Sequence, residues 1–278
     1  MPKKSKLHNH KTEAMTIQAW LNHAAKQLKP VTDSWQLDAE LLVAHELNLS
    51  RAQLLSNMDT QLTTKQLDRL EKDIDRRING EPIAYIVGSI EFYGLTLSVD
   101  WRVLCPRPET ETLVEHVIKV APDSSRVVDV GTGSGAIAIA LKTHRPDLSI
   151  TASDISSDAL TIAKGNIAKH ELDIKAMQSS LLDNFDAAHV VVANLPYLPD
   201  NETLDKSVVA EPLAALVSGE DGLKHYRTLF EQAAEKLQIT HIFIEAPPSQ
   251  KDTLVTIAAD SGFKLHWKKD YSFEFERV

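Results

Sequence analysis

The sequence predicts an α/β fold: a mostly parallel sheet in the C-terminal part, preceded by a small helical region and a hairpin-type connector. Three observations carry that expectation. From about Glu109 onward, short apolar runs alternate with segments of helical periodicity, as strands joined by crossover helices do. Residues 16–79 repeat apolar side chains at helical spacing only. Between them, residues 81–108 hold short β-type runs punctuated by glycine turns.

In the helical region Ile17, Trp20, Leu21, Ala24 and Leu28 recur on one face, as do Leu67, Leu70, Ile74 and Ile78. Leu37, Leu41, Leu42 and Leu47 give a further stripe. Thr63 or Thr64 is placed to cap the last helix and Gly80 to end it. These positions read as the core of a small bundle. In the connector, Tyr85-Ile86-Val87 and then Leu95, Leu97 and Val99 read as short strands, with turns at Gly88 and Gly94. Pro106-Arg107-Pro108 ends it as a stiff extended segment, because each proline biases its predecessor away from helix.

In the C-terminal part the expected strands are 126–130, 149–153, 174–178, 189–193 and 240–246, and the expected helices 136–143, 158–170 and 223–237. Residues 263–267 and 272–278 read as two more strands with no helix between them, so they are expected to pair antiparallel. A purely parallel dinucleotide-binding sheet would not end that way. The expected division is a disordered tail (1–12), a helical domain (13–80), the connector (81–108) and the α/β domain (109–278).

Composition narrows the function classes. The chain has 278 residues, 43% hydrophobic, with no apolar run long enough to suggest a membrane span. Its start is basic and polar, with Lys3, Lys4, Lys6 and Lys11, and lacks the apolar stretch of a secretory signal. A net charge of −9 argues against a partner of bulk nucleic acid, whose binding draws on phosphate neutralisation. The single cysteine, Cys105, excludes an internal disulfide, points to a reducing compartment and reads as a packing residue. His8-Asn9-His10 has no third ligand in view, and the other histidines lack Cys/His zinc spacings, so no metal is expected.

Val127-Val128-Asp129-Val130 runs into Gly131-Thr132-Gly133-Ser134-Gly135 and then into an apolar helix, a turn whose backbone a ligand can approach closely. Asp154, at the end of the next strand, is placed to accept both ribose hydroxyls of a nucleoside. Nicotinamide enzymes favour Gly-x-Gly-x-x-Gly opening towards a pyrophosphate. Gly-x-Gly-x-Gly is the form typical of methyltransferases, whose cofactor has no phosphate to hold. Leu181 and Leu182 follow the third strand, where an apolar wall for an adenine is expected; plain core leucines is the other reading.

The fourth strand ends in Asn194-Leu195-Pro196-Tyr197, at the carboxyl end where ligands of open α/β sheets gather. The Asn194 side-chain oxygen and the Leu195 carbonyl can each accept one N–H of a planar nitrogen, and both bonds strengthen as charge builds on that nitrogen. Tyr197 offers a flat face for stacking and Pro196 stiffens the turn. This clamp suits an amide and an exocyclic adenine amino group equally.

Further segments carry a family resemblance. Arg76-Arg77, Gly80-Glu81-Pro82, Tyr85-Ile86, Gly88, Glu91-Phe92 and Gly94 are followed by Pro106-Arg107-Pro108-Glu109-Thr110-Glu111. Together with the two motifs above, Glu211-Pro212, Gly219, Asp221-Gly222-Leu223 and Tyr226-Arg227, this series resembles the peptide chain release factor N5-glutamine methyltransferases (the HemK/PrmC family) over roughly residues 16–278. The resemblance implies a seven-stranded Rossmann-like class I methyltransferase domain behind a small helical domain and a β-hairpin. It implies S-adenosyl-L-methionine as cofactor, held by residues 131–135, Asp154, Leu181 and Asn194. It implies a glutamine amide held by Asn194, Leu195, Pro196 and Tyr197, with Glu111 as a weaker substrate-positioning carry-over. The substrate would be the Gly-Gly-Gln glutamine of class 1 release factors, met by a cytoplasmic monomer with no membrane partner and no direct nucleic-acid contact. A ribosomal-protein glutamine, a DNA adenine N6 and a non-catalytic cofactor-binding role stand as alternatives. Two departures stand out: Leu195 replaces the usual first proline of Asn-Pro-Pro-Tyr, which frees φ and loosens the loop, and Ala246 stands where the family tends to have glycine.

Overall fold

The computed structural model describes residues 15–204 and 206–278, and their contacts group them into two compact units that divide between Val87 and Gly88. The expected tail, residues 1–12, and with it His8 and His10, lie outside the described residues.

In the first unit the strand β1 (Met15–Thr16) pairs antiparallel with β2 (Gln61–Leu62), beside the helices α1 (Ile17–Leu28), α2 (Trp35–Leu47), α3 (Arg51–Leu55), α4 (Thr64–Ile78) and α5 (Ile83–Val87). The two-residue strands escaped sequence reading because they are too short to show alternation. Thr63 caps α4 in a reciprocal box with Gln66. At the other end Gly80, at φ 100°, returns its N–H to Arg77 while Glu81 returns to Arg76, the 5→2 and 6→1 bonds that close a helix on a left-handed residue. Ile17, Trp20, Ala24, Leu28, Leu67, Leu70 and Ile74 are all buried, as their spacing predicts.

Two expectations fail here. The α2 stripe is displaced: Leu37 is exposed, and the buried face carries Asp38, Ala39, Leu42 and Val43. Asp38 tolerates burial because Arg77 donates to it at 2.7 Å and Ser34 at 2.9 Å, a pairing that an apolar count misses. Tyr85-Ile86-Val87 is helical, not a strand: the Pro82 carbonyl accepts the N–H groups of both Tyr85 and Ile86. A short apolar run does not distinguish the two by periodicity.

The second unit begins with a hairpin, β3 (Ser89–Phe92) and β4 (Leu95–Ser98), turned at Tyr93-Gly94 with both residues at positive φ, the twist that suits a two-residue hairpin. Phe92 and Leu97 are buried against the α/β core, so the hairpin packs as part of this unit. Arg107 is extended as expected, but Pro108 already opens helix α6 (Pro108–Val120), where a first-turn proline loses no hydrogen bond. There follow β5 (Arg126–Val130), α7 (Ala136–His144), β6 (Ser149–Asp154), α8 (Ser157–Lys169), β7 (Lys175–Gln178), β8 (Val190–Ala193), α9 (Lys206–Val209), α10 (Lys224–Glu235), β9 (His241–Glu245), α11 (Lys251–Asp260), β10 (Phe263–Lys269) and β11 (Ser272–Arg277). Sequence reading located every strand of this sheet to within a few residues and missed α6, α9 and α11.

The seven strands are ordered β10-β11-β9-β8-β5-β6-β7. The five from β9 to β7 are parallel, and β11 enters antiparallel between β9 and β10. This is the class I methyltransferase arrangement. The chain runs outward from β5 through β6 to β7, then returns to place β8 on the other side of β5. The carboxyl ends of β5 and β8 therefore border the crevice where the strand order reverses. One face of the sheet packs Leu113, Val117 and Ile139; the other packs Tyr226, Phe230 and Leu254. Among the described residues no helix is long and apolar enough to cross a membrane.

Candidate active site

β5 is central and buries Val127, Val128 and Val130. It ends in three glycines at positive φ, and the turn is closed by short-range bonds. Thr132 donates from its N–H to the Ser153 carbonyl, and Gly135 donates to the Thr132 carbonyl, both at 2.8 Å. Asp129, fully buried, accepts the Thr132 hydroxyl at 2.5 Å and the Ala138 N–H at 3.2 Å. Burial nevertheless pushes its carboxyl up to about 7. Gly131 faces the acceptor loop so closely that a Cβ there would lie 2.9 Å from Leu195 Cδ2.

Asp154, at the end of β6, accepts the Gly133 N–H through one oxygen and the Ser156 N–H through the other, each at 2.9 Å. Burial raises its pKa against those two bonds. A carboxylate oxygen has two lone-pair sites, so each keeps capacity for a hydroxyl donor.

A cavity of about 430 Å³ opens between the turn and the acceptor loop, a volume suited to a nucleoside-sized ligand. Gly131, Thr132, Gly133, Ser134, Asp154, Leu181, Asn194, Leu195 and Pro196 line it, as do Cys105, Arg107 and Thr110. Gly135 instead caps α7, and Tyr197 stands half-buried behind the loop against the core, with burial and then Glu245 raising its phenol to about 12. The two leucines separate: Leu181 lines the cavity and Leu182 is wholly core. Glu111 turns away, accepting the Tyr93 N–H at 2.8 Å, so of Glu109-Thr110-Glu111 the residue that meets the cavity is Thr110. Along the first turn of α6 the two side chains point to different faces.

The acceptor loop is held from a distance. Asn194 donates through Nδ2 to Thr110 Oγ1 at 3.2 Å. Glu245, buried at the end of β9, has the Thr110 and Asn194 side chains facing its carboxyl; burial lifts it to about 7, and those two groups pull it partly back. With its nitrogen committed on that side, the Asn194 oxygen is the end left to accept a donor.

Leu195 is buried, and its N–H donates to the Tyr226 hydroxyl at 3.2 Å, while Tyr226 donates in turn to the Glu245 carbonyl. A proline at this position has no N–H to give. The freedom that leucine restores is thus met by a hydrogen bond, and the expected loosening of the loop is offset. Gln250 donates to the Tyr197 carbonyl at 2.9 Å. Gly222, at φ 78°, leaves room for that carbonyl, which a Cβ would approach to 2.1 Å. Arg107 pairs with the buried Glu211 at 2.6 Å, joining two signature segments 104 residues apart; burial still outweighs the arginine and raises the glutamate.

Thr110, Tyr226, Glu245 and the bracing role of Gln250 escaped sequence reading. Thr110 and Tyr226 stood inside signature segments, but nothing in their spacing says what they touch.

Comparison with known proteins places the chain. Residues 19–88 match the PrmC N-terminal domain and residues 108–221 the methyltransferase small domain. The release factor glutamine methyltransferase of Coxiella burnetii is 36% identical over 257 residues, covering 90% of this chain and 92% of that protein. That of Haemophilus influenzae is 34% identical, covering 95% and 98%. The crystal structure of a methyltransferase from Pyrococcus furiosus matches with a TM-score of 0.50 at 13% identity, over 77% of this chain and 98% of that one, a likeness of fold. The chain belongs to the release factor glutamine methyltransferase family.

Proposed function

We propose that this enzyme transfers a methyl group from S-adenosyl-L-methionine to the N5 amide nitrogen of the Gly-Gly-Gln glutamine in class 1 release factors. Family membership supports the substrate class, and the cavity supports the cofactor. Gly131 and Gly133 offer backbone without side-chain bulk, Asp154 offers open acceptor sites for a ribose, and Leu181 offers an apolar wall. When bound, the cofactor supplies an electrophilic methyl group on a sulfonium.

The protein's own task is orientation. An amide nitrogen is nearly non-basic because its lone pair is delocalised, so a strong base contributes little. The Asn194 oxygen and the Leu195 carbonyl accept the two amide hydrogens, which holds the nitrogen with its π face towards the cofactor side. As methyl transfer places positive charge on that nitrogen, both acceptors bind it more tightly, and this differential interaction is what lowers the barrier; the nitrogen, now strongly acidic, then gives up one N–H proton to solvent and leaves a neutral N-methyl amide. Pro196 and Tyr197 complete the frame.

The observation that carries this reading is the orientation of Asn194, with Nδ2 spent on Thr110 and the oxygen free. The helical domain expected at 13–80 provides a second recognition surface for the release factor, while the unit from Gly88 to Val278, which takes in the hairpin of the expected 81–108 connector and the cavity-lining Cys105 and Arg107, carries the chemistry. The enzyme works as a cytoplasmic monomer on a protein substrate. Purified chain with methyl-labelled cofactor is expected to label a release factor but not its Gly-Gly-Gln Gln→Ala variant. Equal labelling of both, or preferred labelling of ribosomal protein or of DNA adenine, overturns the proposal.

A further inference from the structure

Away from the cavity, the register of the sheet gathers a second set of ligand-type side chains. Glu274 and Glu276 stand two residues apart on β11 and so share a face. His241 on β9 is the direct cross-strand partner of Glu276. One ligand atom from each of the three lies within 4.8 Å of the others. Two more imidazoles flank them. His116, from α6, is 2.7 Å from Glu274, and His266, on β10, is 3.3 Å from Glu276. None of the five lines the cofactor cavity.

The charge balance of this cluster points to a cation. Glu274 is 2% exposed. Among the described residues the ion-pair partners of both glutamates are histidines only, although Lys264 on β10 is the cross-strand neighbour of Glu276. A buried carboxylate is costly unless it is paired, and a divalent ion held between the two glutamates would pair Glu274 more strongly than the neighbouring imidazole does. A tetrahedral zinc site has bonds of about 2.0–2.2 Å, which set its ligand atoms about 3.4 Å apart. Three atoms already within 4.8 Å reach that by side-chain rotation, with His266 or His116 at hand as a fourth ligand.

We propose that His241, Glu274 and Glu276 form a structural site for a divalent transition metal of the zinc class. The mixed imidazole and carboxylate set suits zinc, whereas magnesium and calcium favour all-oxygen shells. The metal clamps β11 to β9. The clamped strand is the one that inserts antiparallel into an otherwise parallel sheet, so the site acts on stability and not on methyl transfer.

The test uses the full chain with His8 and His10 changed to Gln in every arm, which removes the other closely spaced histidine pair. After chelator treatment, zinc is titrated by calorimetry and by thermal melting. One equivalent per chain is expected, with a Tm that rises with zinc and not with magnesium. In His241→Gln and in Glu276→Gln, both partly exposed positions, zinc affinity is expected to fall at least 100-fold while KM for S-adenosylmethionine stays unchanged. No zinc binding by the parent chain overturns the proposal. So does a zinc shift that survives in the double variant, or an equal shift with magnesium.

Discussion

The glycine-rich turn and the acceptor loop leave the ends of neighbouring parallel strands, yet different kinds of contact hold them. The turn is held mostly from nearby. Its side-chain bonds run from Asp129 to Thr132 and Ala138, three and nine residues away, and from Gly133 to Asp154, 21 residues away, with one longer tie from Asn166 to the Ser134 carbonyl across 32 positions. The acceptor loop depends on remote residues: Thr110 holds Asn194 across 84 positions, Tyr226 holds Leu195 across 31 and Gln250 holds Tyr197 across 53. Local geometry suffices to present a backbone to a cofactor. Converging two acceptors on one nitrogen needs several elements to agree.

That contrast breaks most sharply at Asn194. Asn194→Ala is expected to lower kcat by about 10²–10³, the usual cost of one preorganised transition-state hydrogen bond, with a far smaller change in cofactor Kd by calorimetry. If cofactor affinity falls by the same factor, the two regions are not separate.

A second, smaller effect tests the remote bracing. Tyr226→Phe removes the acceptor of the Leu195 N–H and is expected to lower kcat roughly tenfold, matching about 1–2 kcal/mol for a buried bond left unmade. Leu195→Pro alone is expected to be nearly silent, because proline needs no such acceptor. In the double variant it is expected to restore part of the lost rate. Steady-state kinetics of the four proteins close the cycle, and purely additive losses sink the bracing role.

On the turn side, Gly131→Ala places a Cβ on Leu195 in a left-handed backbone. The strain, on the order of 1–2 kcal/mol, is expected to weaken cofactor binding about tenfold. Because Leu195 is the residue struck, kcat is expected to fall with it. Single-turnover kinetics at saturating cofactor separate the two.

The last test leaves catalysis aside and reads the pH dependence of stability. Burial lifts Glu245 from 4.5 to about 7, so across that window the native state holds a proton that the unfolded chain has lost. Its contribution therefore favours folding most below the unfolded pKa and fades as pH rises towards 7. Glu245→Gln is expected to remove a downward slope of up to roughly 1.4 kcal/mol per pH unit, read from urea midpoints of both proteins between pH 4.5 and 7.

Legibility followed the same divide. Alternating apolar runs and glycine spacing located β5, β6, β8 and the turn, because those signals are local. The spacing of Leu37 and the run Tyr85-Ile86-Val87 misled, because burial of Asp38 by Arg77 and a short helix leave no periodic trace. Glu111 came only as a carry-over from the family resemblance, and the helix phase is what brings its neighbour Thr110 to the cavity instead. The cluster at His241, Glu274 and Glu276 was invisible, since its members lie 33 or more positions apart in the case of His241 and meet only through the β9–β11 register.

By itself the sequence determined the α/β architecture, the antiparallel ending, the cofactor turn and the clamp Asn194-Leu195-Pro196-Tyr197. Each is written in short-range spacing or in the φ that glycine and proline allow. Only the tertiary structure decided which end of Asn194 is free, what replaces the missing proline at Leu195 and which carboxyls burial pushes above their ordinary pKa. Those properties depend on burial and on partners from distant segments, and both exist only once the chain has folded.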